Sequence, residues 1–332
     1  MSTLRPVASE FVFETPAPFA QCHASTLEAL EDGRIVCAWF GGTEEGADDV
    51  AIWLSIRDAS GWSAPRMVAS DPRYPAWNPV LFAPRSADQP SGLTRGELLL
   101  FYRIGPNPRE WWSYVMKSSD GGESWSEPAP LPAGLLGPIK NKPIALADGT
   151  WLAPSSVETG TEWFAVIERS GDQGATWTPS ERLIVPGHPR GIIQPTLWES
   201  EPGHVHALMR SRGIGRIVRS DSSDGGRTWS EPRITDHPNN NSGIDAVKVH
   251  ALARDGRKPP IAMVWNPVTQ GRTPLVLSLS YDNGESWETL AVLEDEPGEF
   301  SYPAVISLPD GIALTYTWKR ERIRFHRFAV AS

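Results

Sequence analysis

The sequence predicts an all-β chain, a six-bladed β-propeller with four-stranded antiparallel blades, in one domain over residues 1–332. Three observations predict it. The first is a repeated turn, Ser-x-Asp-x-Gly-x-x-Trp, at Ser118/Asp120/Gly122/Trp125, Ser170/Asp172/Gly174/Trp177, Ser222/Asp224/Gly226/Trp229 and Ser280/Asp282/Gly284/Trp287. Successive copies start 52, 52 and 58 residues apart, and such a period marks repeat architectures. The second is an apolar run that starts on polar or Pro-bearing residues and often ends in Asp-Gly, a hairpin signal. The third is composition: 15 Trp, 29 Gly and 31 Pro suit many short strands with tight turns, and no long helical period appears.

The turn explains itself chemically. Asp and Ser side chains bond nearby backbone amides, Gly supplies a positive φ, and the Trp folds back over the hairpin. A worn copy runs from Ser55 to Trp62. The motif is structural and says nothing about chemistry.

In chain order, residues 1–20 read as an irregular segment, with a strand at 10–14 closing the ring. Six innermost strands are expected at 24–30, 78–82, 142–146, 194–198, 245–249 and 302–308. Their second strands follow at 34–40, 97–103, 151–155, 205–210, 260–265 and 312–318. An outer hairpin with the repeated turn then follows in all but the last unit. Leu27-Glu28-Ala29-Leu30-Glu31 alone looks helical, but its shortness and the following Asp32-Gly33 favour a strand. A seventh blade is open if residues 1–20 supply more than one strand.

Composition bounds the function. The net charge of −9 and the lack of a Lys/Arg run argue against a nucleic-acid partner. No apolar stretch reaches the ~18 residues of a membrane span. Met1-Ser2-Thr3-Leu4-Arg5-Pro6 lacks the apolar core of a secretion signal, and Cys22 and Cys37 are too few for a disulfide framework, so the expected location is the cytoplasm. His204 and His206 share a strand face with no adjacent Cys or carboxylate, so no metal is expected. Arg212-Gly213-Ile214-Gly215-Arg216 precedes no helix and is no nucleotide cradle, so no cofactor is expected.

In a propeller the starts of the innermost strands converge on the axis at one mouth, where a ligand site belongs. Here those starts are polar: His23, Trp77-Asn78, Lys140-Asn141-Lys142, Gln194, Asp245 and Ser301-Tyr302. Glu44, Glu45, Asp48 and Asp49 share a nearby loop, and Arg210 and Arg272 lie at second-strand ends. Arginine's fork suits a carboxylate, so this ring suits an anionic sugar. Trp77, Trp111, Trp112 and Trp265 are candidates to stack on a sugar ring, or else blade covers.

The repeated turns, which match Asp-boxes, and the order of units resemble the sialidase (neuraminidase) superfamily of BNR-repeat propellers, from about residue 20 to 328. The resemblance implies an arginine triad for the substrate carboxylate, a tyrosine nucleophile paired with a glutamate, and an aspartate acid. Tyr302, leading Pro303-Ala304-Val305-Ile306-Ser307-Leu308-Pro309-Asp310-Gly311, resembles the family's tyrosine-led last strand. Arg210 looks like the second triad arginine and Arg272 like the third.

Three positions depart from the pattern. His23 stands where the first arginine belongs, Gln194 where the tyrosine-activating glutamate belongs, and Glu45 or Asp48 must replace the usual acid. A neutral Gln cannot take a proton from a tyrosine. The expectation is therefore an exo-glycoside hydrolase acting on an acidic sugar, with sialic acid itself left open. Glu45 or Asp48 would protonate the leaving oxygen, and Tyr302 or an activated water would attack. His23 would serve as acid or base. Arg210, Arg272 and Lys142 would hold the anion, with Gln194, Asn78 and Asp245 lining the pocket. The alternatives are a lyase on a uronic-acid-containing glycan, with His23 or Tyr302 removing the proton, and a carbohydrate- or protein-binding propeller without catalysis. The sequence leaves linkage and oligomeric state open.

Overall fold

The computed structural model describes residues 3–84, 97–253 and 258–331. It is a six-bladed β-propeller, as expected, and the described residues hold only one short 3-10 turn, His250–Leu252. The innermost strands are Gln21–Ala29, Ala76–Phe82, Ile144–Ala145, Ile192–Glu201, Asp245–Lys248 and Phe300–Leu308. The segment that looked helical is thus strand. Second strands follow at Ile35–Gly42, Leu98–Ile104, Trp151–Glu158, His204–Ser211, Ile261–Trp265 and Gly311–Trp318, each antiparallel to its inner neighbour. Because second strands run back, their C-terminal ends return to the mouth where inner strands begin.

The ring closes through its last blade. Leu4–Phe11 pairs antiparallel with Arg322–Val330, from Leu4 opposite Val330 to Phe11 opposite Arg324. The closing strand therefore begins earlier than the expected 10–14 and overlaps it only at Glu10 and Phe11. Glu14 lies in the irregular link to the first blade, where Phe13 and Phe19 pack on Trp39 instead.

Each intact turn repeats one geometry. Ser118 Oγ donates to Asp120 Oδ1 at 2.7 Å, Gly122 N–H donates to Ser118 Oγ at 2.7 Å, and Ser124 N–H donates to Asp120 Oδ1 at 2.9 Å. The turn at Ser280 gives 2.8, 2.7 and 2.9 Å for the same three bonds. Gly284 has φ of +85°, and a Cβ there would meet the Trp198 ring at 3.0 Å, so glycine serves both the turn and its packing on the neighbouring blade. The Trp N–H reaches the turn carbonyl at Trp177 and Trp229 but has no partner among the described residues at Trp125 and Trp287.

Four inner strands carry a β-bulge at the same place. Their ladders skip between His23 and Thr26, Trp77 and Val80, Ile193 and Thr196, and Ser301 and Ala304. Within each bulge one non-glycine residue takes a positive φ: Ala24 (+56°), Asn78 (+27°), Gln194 (+54°) and Tyr302 (+52°). This conformation is uncommon for side chains with a Cβ and persists where the surroundings over-determine it. Bulges re-aim side chains. Here they interrupt the inner ladder at matching positions around one mouth.

Candidate active site

Tyr302 is the hub. Arg210 Nη1 donates to its hydroxyl oxygen at 2.9 Å, and Gln194 Nε2 approaches at 3.4 Å. The same Arg210 Nη1 donates to Gln194 Oε1 at 2.9 Å, and Arg210 Nε donates to Asn241 Oδ1 at 3.0 Å. Arg210 and Gln194 are buried, so these charge-assisted bonds are little screened. The His23 ring lies 4.2 Å from the Tyr302 ring, centroid to centroid. The Arg210 and Arg272 guanidiniums stand 5.5 and 5.9 Å from the Tyr302 ring centre. The structure thus brings together His23, Gln194, Arg210, Arg272 and Tyr302, from four blades.

A second network adjoins them. Glu299 Oε1 accepts from Arg272 Nη1 at 2.6 Å, Arg320 Nε at 2.7 Å and Ser301 Oγ at 3.0 Å. Arg320 Nη1 also pairs with Glu45. Burial pushes the Glu299 carboxyl up, but Arg272 and Arg320 outweigh it and hold it below the usual range. Arg320 was not foreseen. It sits in the Lys319-Arg320 turn after Gly311–Trp318, with both residues at positive φ, a conformation that Lys-Arg does not advertise.

His23 does not fit the acid/base role expected of it. Complete burial drives its pKa well below the ordinary value, and Arg320, Arg272, Arg210 and Lys140 push the same way. The ring stays neutral, with Nδ1 2.9 Å from Thr317 Oγ1. Lys140 lies beneath. Its Nζ donates to Asn141 Oδ1 at 2.8 Å, to Ile244 O at 3.0 Å and to Pro303 O, so it anchors the Tyr302 bulge. Burial lowers its pKa to about 7, against the opposing pull of Asp245.

Lys142, expected to hold the anion, and Asp245, expected to line the pocket, pair with each other away from the hub. Lys142 Nζ donates to Asp245 Oδ2 at 2.8 Å, and Asp245 also accepts from Thr196 Oγ1 at 2.8 Å and Val305 N–H at 2.8 Å. Val305 is three residues along the strand from Tyr302, roughly 10 Å at a strand's rise. The pair therefore braces the channel wall deeper down. There Lys142 lines a cavity of about 160 Å³ at the opposite mouth, with Glu28, Glu199, Lys248 and Ser307. Lys142 is corrected from substrate-binding to structural, and Asp245 is fully engaged with it.

Asn78 occupies its bulge, buried, with its carbonyl accepting from Arg103 Nη1 at 3.1 Å. In the loop at 43–50, Asp49 closes the turn on Thr43 through N–H and Oγ1, Glu45 is tied to Arg320, and Asp48 is exposed. Trp77 and Trp265 are buried, with indole N–H groups on Gly105 O and Ser278 Oγ, so they are blade covers. Glu158, half-buried at the end of Trp151–Glu158, was also missed; nothing in Val157-Glu158-Thr159 distinguishes it from a loop charge.

Comparisons with known proteins agree with this architecture. Residues 33–314 match the family model of the BNR repeat-like domain. A sialidase of Bacteroides fragilis (strain YCH46) is 25% identical over 220 residues, 59% of this chain and 40% of that protein. A sialidase of Micromonospora viridifaciens is 27% identical over 264 residues, 77% of this chain and 36% of that protein. The chain thus spans well under half of either relative. Among solved structures, the Hadza microbial sialidase Hz136 superposes with a TM-score of 0.77 at 17% identity, covering 94% of this chain and 66% of that one. A protein of unknown function from Dyadobacter fermentans DSM 18053 also gives 0.77, at 16% identity and 99% coverage of both chains. At these identities the structures speak for the fold alone. With the matched repeat model covering most of its blades, the chain belongs to the BNR repeat-like family of the sialidase propeller superfamily.

Proposed function

We propose that the chain is a sialidase-like exo-glycoside hydrolase acting on an acidic sugar at a glycan terminus. The observation that carries this reading is the convergence of Arg210, Arg272 and Arg320 around buried His23 and the partly buried Tyr302. Arg320, from the last blade's turn, stands in for the first-strand arginine that His23 replaces. A substrate carboxylate would accept from these guanidiniums and displace part of the Glu299 and Glu45 pairing. Tyr302 then faces the reacting carbon. Asp48, exposed in the 43–50 loop and without a side-chain partner among the described residues, protonates the leaving oxygen. The relatives named sialidase point to the same substrate class. A lyase would need His23 or Tyr302 to take a proton, and the cations around His23 oppose that.

The test is release of the acid sugar from aryl glycosides of sialic and uronic acids by wild type, Tyr302→Phe and Arg320→Met. Hydrolysis by wild type, lost in Tyr302→Phe, supports the reading. Arg320→Met should raise KM roughly 10- to 100-fold, the worth of a charge-assisted bond of about 1.5–3 kcal/mol. An unsaturated uronate product would establish the lyase. Binding of acid glycans with no turnover, equal in wild type and Tyr302→Phe, would leave a binding propeller.

A further inference from the structure

Hydrolysis needs a group to take a proton from whatever attacks the sugar, and the pocket's expected one is absent. Gln194 is neutral, and His23 is held neutral among cations. Three carboxylates near the hub are committed: Asp245 to Lys142, Thr196 and Val305, Glu299 to Arg272, Arg320 and Ser301, Glu45 to Arg320. Tyr302 is also poorly placed to attack. Its oxygen faces N–H donors from Arg210 and Gln194, which leaves its own O–H, not a lone pair, to point at a substrate.

Besides Glu44 and Asp48 in the exposed first-blade loop, one half-buried carboxylate is uncommitted. Glu158 ends the second strand of the third blade, at the same mouth and beside the fourth blade, whose second strand carries Arg210. It pairs across the ladder with Trp163, and the Arg212 guanidinium stacks 4.8 Å over that indole. Arg109, Arg210 and Arg212 are the charged groups that face it. Yet Glu158 makes no hydrogen bond or ion pair with any described residue. A half-buried carboxylate without a partner, flanked by three arginines, is available to a ligand.

Resting on the hydrolase reading above, we infer that Glu158 is the general base that activates the attacking water, so that the reaction inverts the anomeric configuration. Asp48 gives its proton to the glycosidic oxygen, and the C–O bond breaks with its electron pair on that oxygen, releasing the alcohol. Water bonds to the anomeric carbon from the opposite face, and its proton passes to the Glu158 carboxylate. Both carboxyls then re-equilibrate with solvent. An inverting pair needs its carboxyls about 6.5–9.5 Å apart to leave room for the water, and Asp48 and Glu158 come to the mouth from different blades, the first and the third. Tyr302 donates its O–H to the substrate and orients it. Burial raises the Glu158 carboxyl above its ordinary value, against the pull of Arg210, Arg212 and Arg109, so the base is lost by protonation at a pH higher than an exposed glutamate's.

The experiment follows the first-formed anomer by proton NMR during hydrolysis of an aryl glycoside of an acid sugar, with the full chain. The expected result is inversion. Glu158→Gln should lower kcat roughly 100- to 10,000-fold and remove the acidic limb of the pH profile. Added azide should restore turnover of Glu158→Ala and give a glycosyl azide of inverted configuration, which a merely structural role would not produce. Retention of configuration, or a Tyr302–sugar adduct trapped with a fluorinated acid sugar, overturns the inference while leaving the hydrolase reading intact. Full activity in Glu158→Gln overturns it likewise. Wild-type inactivity on every acid glycoside overturns both.

Discussion

Tyr302 and Gln194 show how much one residue type tells before any fold is known. Both stood out as polar residues opening apolar strands, and Pro195 and Pro303 after them carried an unread signal. Proline cannot donate to a ladder and gathers at bulges, and Asn78-Pro79 repeats the pattern. Arg210 was legible for the same reason, a cation at the end of an apolar run. Arg320 and Glu158 were not, because their importance comes from which blades meet, and one charged residue in a turn looks like another. Lys140 carries a prediction at this scale. Its folded pKa of about 7 lies below the ~10.4 of an unfolded lysine, so it contributes stability that is present above the unfolded value and is lost as pH falls through about 7. Wild type should therefore gain stability relative to Lys140→Met between about pH 7 and pH 10. Denaturant midpoints at the two pH values check this, and parallel curves would refute it.

The element most fully written in the sequence is the Asp-box turn, because all of its bonds are local and its residues sit at fixed offsets. In Asp172 the Thr176 hydroxyl and amide and the Ser170 hydroxyl hold the carboxyl down to about 2. In Asp282 burial opposes, but the Ser286 and Ser280 bonds prevail and the value is again about 2. A depressed carboxylate contributes stability above its unfolded value near 3.9, and loses it as pH falls through the folded one. The turns should thus fail together between about pH 4 and pH 2, and Asp282→Asn should flatten that limb of a melting-temperature profile. Unchanged acid sensitivity in the variant would remove the turns as its cause. The same box reaches sideways. Asn283 accepts from Trp198 Nε1 at 2.8 Å, its carbonyl accepts from Arg219 Nη1 at 2.8 Å, and its amide meets His206 Nε2 at 3.0 Å. Ser200, His206 and Asp221 there have the order of an acyl-transfer triad, at 2.8 and 2.6 Å. However, Asn283 shares the imidazole nitrogen and Arg219 holds Asp221, so the cluster is a clasp between the fourth and fifth blades. Asp221→Ala should cost about 1–3 kcal/mol in chemical denaturation, by leaving Arg219 Nε and His206 Nδ1 without the carboxylate that they share.

For the whole molecule the decisive feature is ring closure, which the sequence placed a few residues late because closing strands carry no repeated motif. The last blade is built from both ends of the described chain, and Leu4 is buried there with Phe328 and Val249. Every convergence at the mouth depends on this closure, since Tyr302 and Arg320 belong to the blade it completes. Removing residues 1–11 would bare the edge of Arg322–Val330 and expose Leu4's apolar site, a loss of about 2–5 kcal/mol from that side chain alone. The truncated chain should melt several degrees lower and self-associate through the open edge, as read by calorimetry and gel filtration. If the first blade's neighbours move apart, the His23–Tyr302 contact goes with them, so ligand affinity should fall in step with stability. A truncated chain that stays monomeric, with an unchanged melting temperature, would mean that the ring is held by its inter-blade packing and not by the strand that joins its ends.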